Sequence, residues 1–170
     1  FLVKYNSSGT KQWTKQLGTS SSDEGRGVTT DSSGNIYVTG YTYGGLDGNT
    51  NSCDDFLFQC SDIFLVKYNS SGTKQWTKQL GSSKQEQGKD VTTDSSGNIY
   101  VTGYTYGGLD GNTSSGSTDI FLVKYNSSGT KQWTRQLGTS GQDEGNGVTT
   151  DSSDNIYVTG YTKGGLDGNT

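Results

Sequence analysis

The sequence predicts an all-β fold, a partial β-propeller of four-stranded antiparallel blades, and three observations carry that prediction. The 170 residues contain three gapless copies of a 50-residue unit, at 1–50, 64–113 and 121–170, with 40 of 50 aligned columns identical. Repetition at a period of tens of residues is the mark of solenoids, propellers and arrays. Each unit holds four short strand-like runs, and four antiparallel strands per period of about 40–60 residues is the arithmetic of a propeller blade. The composition agrees: 27 Gly, 11 Tyr and no Pro suit β-strands joined by tight turns. A solenoid rung is usually shorter, and a β-sandwich rarely repeats itself so closely.

The middle unit shows the elements in order. Phe64–Tyr68 is an almost continuous apolar run, as expected of a strand buried on both faces. Asn69-Ser70-Ser71-Gly72 follows as a turn. Lys74–Leu80 alternates, with Trp76, Lys78 and Leu80 on one face. The polar stretch Gly81–Lys89 reads as a connection, leading to a short third strand around Val91–Asp94. Ser95-Ser96-Gly97 turns the chain into a fourth strand, Asn98–Thr105, with Ile99 and Val101 opposite Tyr100, Thr102 and Tyr104. The unit closes in a loop, Tyr106–Thr113. The spacers between units differ: an insertion loop at 51–63 and a shorter one at 114–120.

The phase of the repeat has a consequence. With strands named A to D from axis to rim, the third and fourth runs are A and B, and the first two runs of the next unit are C and D. The chain then opens with C and D and closes with A and B, giving two whole blades and two halves, three blade equivalents in one propeller domain over 1–170. Propellers close with about four to eight blades. Unclosed repeats leave sheet edges open to pairing. The expected partner is a second copy, forming a six-bladed dimer by half-blade exchange, or further blades of a longer chain. The chain begins at Phe1 inside an apolar run, which reads as a trimmed or processed piece.

The strings D-I-F-L-V-K-Y-N-S-S-G-T-K-Q-W-T-K-Q-L-G and G-V-T-T-D-S-S-G-N-I-Y-V-T-G resemble the bacterial SBBP repeat, the "seven-bladed β-propeller" repeat, across all three units. The G-N-I-Y-V part is also similar to NHL-type blades. The resemblance implies a propeller in extracellular or cell-surface bacterial proteins and no settled biochemical activity.

Charge and composition narrow the function. The net charge is −4, whereas a nucleic-acid partner asks for a basic stripe. No apolar run reaches the roughly 20 residues of a spanning helix, so membrane insertion is not expected. Leu, Ile, Val and Phe amount to 29 of 170 residues, a thin core supplemented by Tyr and Thr. There is no His, which removes the commonest general base and metal ligand. A Ser-His-Asp or Cys-His system cannot be built from this chain, nor a Cys/His zinc site. The expectation is that the chain is not an enzyme and carries no cofactor. Paired carboxylates such as Asp23 and Glu24, or Asp143 and Glu144, are the nearest thing to acid–base chemistry, and exposed loop charge is their commoner role.

Ten columns vary between units. Seven lie in Thr19–Gly27 and its equivalents, and an eighth is Tyr43/Tyr106/Lys163. In an up-and-down blade these map, with the insertion, to the end where the D–A and B–C connections emerge. Loops on one face of a repeat array are often its binding surface; relaxed constraint on solvated loops is the alternative.

Four groups are candidate sites. The loop Tyr43-Gly44-Gly45-Leu46-Asp47-Gly48-Asn49-Thr50, with Tyr106, Asp110 and Asn112 and with Asp167 and Asn169 in its copies, offers an aromatic plate beside planar hydrogen-bonding groups, the chemistry of sugar recognition. A turn in which Asp and Asn bond their own backbone is the other reading. Asp31-Ser32-Ser33-Gly34-Asn35 has oxygens at alternate positions like a calcium loop, but lacks the distant bidentate Glu and reads more simply as a hairpin turn. Asp47, Asn49 and Asp62 form a similar calcium option. Cys53 and Cys60 suggest a disulfide-closed loop presenting Phe56 and Phe58 as a knob, or else the remnant of an extra strand. Trp13, Trp76 and Trp133 are read as blade packing. Asn6, Asn69, Asn112 and Asn126 lie in glycosylation sequons. The expected function is a non-catalytic extracellular or cell-surface scaffold for adhesion, protein interaction or assembly. A lectin-like glycan-binding module is the alternative.

Overall fold

The computed structural model of the protein describes residues 1–52 and 60–169. β1 (Leu2–Tyr5) and β2 (Lys11–Lys15) form a two-stranded sheet. β3 (Asp23–Thr30), β4 (Ile36–Thr42), β5 (Asp62–Tyr68) and β6 (Lys74–Leu80) form a four-stranded sheet in that order. β7 (Glu86–Thr93), β8 (Ile99–Thr105), β9 (Asp119–Tyr125) and β10 (Lys131–Leu137) form a second. β11 (Asp143–Thr150) and β12 (Ile156–Thr162) form the last pair. Every ladder is antiparallel. These are two whole blades flanked by a C–D half and an A–B half, the phase expected from the sequence. The inner strands meet in turn, β3 against β7 and β7 against β11.

Each blade packs on both faces, which explains its strand patterns. In β5, Ile63 and Leu65 enter the core shared with the second blade, while Phe64, Val66 and Tyr68 enter the core shared with the first half-blade. That alternation between two apolar surroundings makes strand C read as an unbroken apolar run. In β8, Ile99 and Val101 join the inter-blade core. Tyr100 lies on the other face, its ring 6.2 Å from that of Trp133. Tyr37 and Trp76 repeat the contact at 6.2 Å, so the tryptophans serve blade packing.

Two kinds of turn recur. In the A–B turn, Asp94 Oδ1 accepts from the backbone N–H of Ser96 (3.0 Å) and Asn98 (2.8 Å). Its Oδ2 accepts from Asn98 Nδ2 (2.7 Å) and Tyr100 Oη (2.9 Å). Asp31 and Asp151 do the same in their units. In the C–D turn, Asn69 Oδ1 accepts from Ser71 N, Ser71 Oγ and Thr73 N.

Two elements depart from expectation. Strand C begins at Asp62 rather than Phe64, so the last two residues of the expected insertion loop 51–63 belong to the ladder, where Ile63 pairs with Tyr41 and Leu80. The third strand is not a short run around Val91–Asp94 but spans Glu86–Thr93. Its first half is polar because it is the inner strand, where no continuous apolar layer demands alternation. It also carries a bulge between Gly88 and Asp90, which breaks the period-two pattern. The facing glycine is required: a Cβ on Gly103 would lie 1.9 Å from the Gln87 carbonyl oxygen.

Candidate functional site

The end of the blades that carries the D–A and B–C connections is built mainly from polar residues that tie loops to strands. Asp23, first residue of β3, accepts at Oδ2 from Thr19 N (2.6 Å) and Thr19 Oγ1 (3.1 Å). Glu86 does the same with Ser82, and Asp143 with Thr139. Thr42, Thr105 and Thr162 donate to the same three carboxylates from strand B. The column that varies as Asp, Glu, Asp therefore keeps one job. The segment Thr19–Gly27 and its equivalents is also not wholly loop: its second half lies in strand A, a correction to the expectation that it is connection alone.

The B–C connection folds into a 3-10 turn, Leu46–Gly48, with Asp47 at φ 59 and Gly48 at φ 82. Asp tolerates this left-handed backbone better than most residues. The turn buries Leu46 and projects Asp47 onto strand D, where its carboxylate pairs with Lys74 and accepts from Thr77 Oγ1 (2.8 Å). Asn49 Nδ2 bonds the Leu46 carbonyl (2.7 Å). Gln79 accepts from Leu46 N (3.0 Å) and donates to the Gly44 carbonyl (3.1 Å). Asp110 and Asn112 repeat the arrangement with Lys131, Thr134 and Leu109. Lys74 first, then Thr77, holds the Asp47 carboxyl below its ordinary pKa. The structure thus gives Asp47, Asn49, Asp110 and Asn112 internal clasps within each blade and does not gather them around Tyr43 or Tyr106. Asn169 keeps its bond to Leu166, while Asp167 stands at the last turn.

The aromatic groups converge instead with the variable charges of strand A. Tyr43 meets Tyr41 edge-on, centroids 5.8 Å apart, and Tyr106 meets Tyr104 at 5.9 Å. Arg26 lies over the Tyr41 ring at 5.6 Å and pairs with Glu24 at 2.9 Å, and Tyr41 donates to Glu24. In the second unit Gln87 replaces Glu24 and Lys89 lies over Tyr104 at 4.9 Å. Burial, then the Glu144 charge of the third unit, pushes Tyr104 above its ordinary pKa. In that unit Lys163 replaces the tyrosine and reaches Gln142. Each unit therefore shows a different aromatic and charged surface on one framework.

The calcium options resolve as turn and loop chemistry. Asp31 bonds four donors, and Asp62 binds Ser52 N (2.8 Å) and Gln79 Nε2 (2.9 Å), the side-chain amide that also holds the Leu46 turn. Among the described residues no three His, Cys, Asp or Glu gather as metal ligands. Cys53, Phe56 and Phe58 lie outside the described residues; Cys60 is buried beside Ser83.

Sequence reasoning singled out Asp62 only as a loop calcium option and did not single out Asp119, and so missed that both are buried acids at the start of strand C. Asp62 and Asp119 are fully buried, and the Oδ1 of each has no hydrogen-bond partner among the described residues. Burial raises the pKa of Asp62, as it does that of Glu86. The signal was the glycine after strand D: a Cβ on Gly81 would fall 2.0 Å from Asp62 Oδ1.

Comparison with known proteins agrees with this geometry. A family model described as a β-propeller repeat, SBBP, matches residues 12–47, 75–110 and 132–167. An uncharacterized WD repeat-containing protein, L264, of Acanthamoeba polyphaga mimivirus is 28% identical over 89% of the chain. The regulatory protein FlaEY of Caulobacter vibrioides is 29% identical over 82% of the chain. The chain spans 13% and 15% of the lengths of these two relatives.

Proposed function

The chain belongs to the SBBP β-propeller repeat family, and from that premise we propose a non-catalytic scaffold of the extracellular or cell-surface kind. It serves adhesion, protein interaction or assembly through the variable end of its blades. One observation carries the reading: the positions that differ between units collect beside the D–A connection and strand A, where Arg26, Lys89 and Asn146 succeed one another. The recurring positions are engaged in ladders, turns and cores, so the framework is constant and the presented surface is not. The carboxylates Asp23, Asp143 and Glu24 act as hydrogen-bond acceptors for loops and for Tyr41, a structural use of groups that acid–base chemistry would need free.

A second reading, glycan binding, is favoured by the Tyr41–Tyr43 and Tyr104–Tyr106 pairs, since sugars stack on aromatic faces. One experiment separates the two. The labelled chain is applied to a glycan array and to intact bacterial cells. The scaffold reading expects cell binding that changes when residues 19–26 are exchanged for 82–89, with no array signal. An array signal lost in the double variant Tyr43→Ala/Tyr106→Ala establishes the lectin instead. Cell binding indifferent to the exchange overturns the scaffold reading.

A further inference from the structure

We propose that the second blade carries, where β7 and β8 meet β11, a site for a carboxylated sugar such as a hexuronate, made by Lys89, Gln87, Tyr104 and Tyr106. The inference goes beyond the scaffold reading. It deepens the glycan reading, on which it rests, by naming the sugar class and confining it to one unit.

A comparison of columns carries the argument. In the first unit Glu24 stands opposite Tyr41 in the β3–β4 ladder. It accepts from Tyr41 Oη and pairs with Arg26. Arg26 occupies the bulge between Gly25 and Gly27 and lies over the Tyr41 ring. Acid, base and phenol are thus spent on one another. The second unit keeps the ladder, the bulge and the ring: Gln87 stands opposite Tyr104, and Lys89 occupies the bulge. Its Nζ lies 4.9 Å from the ring centroid. What this unit lacks is the acid, because an amide has no charge to set against Lys89. Among the described residues the Gln87 side chain, Lys89 Nζ and Tyr104 Oη make no hydrogen bond or ion pair. The third unit has Glu144 and Asn146 in these columns, and so no cation in its bulge.

Gln87 makes this more than a surface lysine. It is 8% exposed, and a polar side chain so deeply buried is ordinarily hydrogen-bonded. Its place opposite Tyr104 brings it out on the face of the sheet that carries that ring. The bulge turns Lys89 toward the same ring. Tyr106 meets Tyr104 edge-on at 5.9 Å and is 43% exposed, which leaves its own ring open. Lys84 adds a second ammonium beside it, since its Cγ is 3.0 Å from the point where a Cβ on Gly107 would stand. Across the junction, Glu144 of β11 is near enough for its charge, after burial, to raise the Tyr104 pKa. All of these groups lie within residues 84–144, away from the first and last strands.

The set selects its ligand. Lys89 supplies a positive charge and Gln87 an N–H donor, the pair from which a carboxylate accepts charge-assisted bonds. The Tyr106 ring is an apolar plate for the C–H face of a sugar. Tyr104 Oη and the Glu144 carboxylate answer ring hydroxyls. A neutral sugar leaves the Lys89 charge without a counterpart, and a bare carboxylate leaves the aromatic plate unused.

Calorimetric titration of the 170-residue chain with trigalacturonate, with a hyaluronan tetrasaccharide and with neutral galactotriose tests this. At least one of the two acidic sugars is expected to bind at one site per chain, weakening as salt rises. Galactotriose is expected to bind at least about tenfold more weakly. Lys89→Gln should weaken the acidic sugar at least about tenfold and leave the neutral one unchanged. Gln87→Glu restores the pattern of the first unit and should weaken the acidic sugar to a similar degree. Lys78→Gln, which removes a lysine over an aromatic ring of the outer strand, should bind as the wild type does. Should Gln87→Glu lose its β signal in circular dichroism, the Lys89→Gln and Tyr106→Ala variants, both altered at the surface, decide. An acidic sugar that binds no better than the neutral one, or that binds Lys89→Gln undiminished, overturns the proposal and leaves glycan binding standing. Silence from all three sugars, with signal elsewhere on the glycan array, overturns the proposal alone; silence across the array as well removes the glycan reading with it.

Discussion

Asp94 accepts four hydrogen bonds from three residues within six positions of itself. Although burial acts against its charge, Asn98, Tyr100 and the Asn98 amide together hold its carboxyl below the ordinary range. Asp94→Ala leaves Tyr100 Oη and two turn amides short of partners. A loss of about 1–3 kcal/mol is expected, or a Tm fall of about 2–4 °C for each. Asp94→Asn, which keeps one accepting oxygen, should lose less. Calorimetry of the two variants checks the order; equal losses would refute the acceptor account. This turn was legible in the sequence because its partners are adjacent. The Asp47 clasp was not: Lys74 and Thr77 lie 27 and 30 residues away, and nothing local marks Asp47 as the residue that reaches them. The exception at 154 has a reason visible only in three dimensions. Asp154 takes a glycine's place at φ 61 and accepts from Ser95 N (3.0 Å) and Ser95 Oγ (2.8 Å) of the neighbouring blade.

Among the elements, strands B and D could be read almost to the residue, since each shows an apolar face to a core, and strand C from its third residue on, since a buried acid opens it. Strand A could be read only in its second half. Val91 is buried in the inter-blade core, but Glu86 and Gln87 are buried as polar groups, a state no hydropathy pattern announces. The bulge that re-aims this strand depends on a glycine across the ladder. Gly103→Ala puts a methyl group 1.9 Å from the Gln87 carbonyl oxygen and 2.9 Å from the buried Phe121 ring, with little room to shift. The expected cost is about 3 kcal/mol, at the upper end of ordinary point changes, and the Tm should fall by about 6–12 °C. Gly111→Ala serves as the control: a Cβ there meets nothing within 4 Å, and the strain of its positive φ acts alone. A Gly103→Ala variant as stable as the wild type would show that the ladder can open here without cost.

For the molecule as a whole, the acids pull in two directions. Asp31, Asp47, Asp94, Asp110 and Asp143 have folded pKa values below the ordinary range, and Asp151, held by Asn155 above all, lies at about 2. These groups contribute stability above the unfolded value of about 4 and lose it as the pH falls through their folded values. Asp62 and Glu86 are raised by burial, so their contribution is present in acid and fades as the pH rises through their folded values. The first set outnumbers the second. The Tm is therefore expected to hold between about pH 5 and 7 and to drop steadily from about pH 4 to pH 2. A scanning-calorimetry profile flat across that acid range would contradict the assignment.

The offset between sequence repeat and blade also has a genetic consequence. A blade takes its inner hairpin from one unit and its outer hairpin from the next, so the period of the gene and the period of the fold are the same length but out of step. Duplicating any one unit by unequal crossing-over inserts one whole blade. Every new junction then has the register of the old ones. An array built this way can lengthen or shorten by single blades without redesigning its joints.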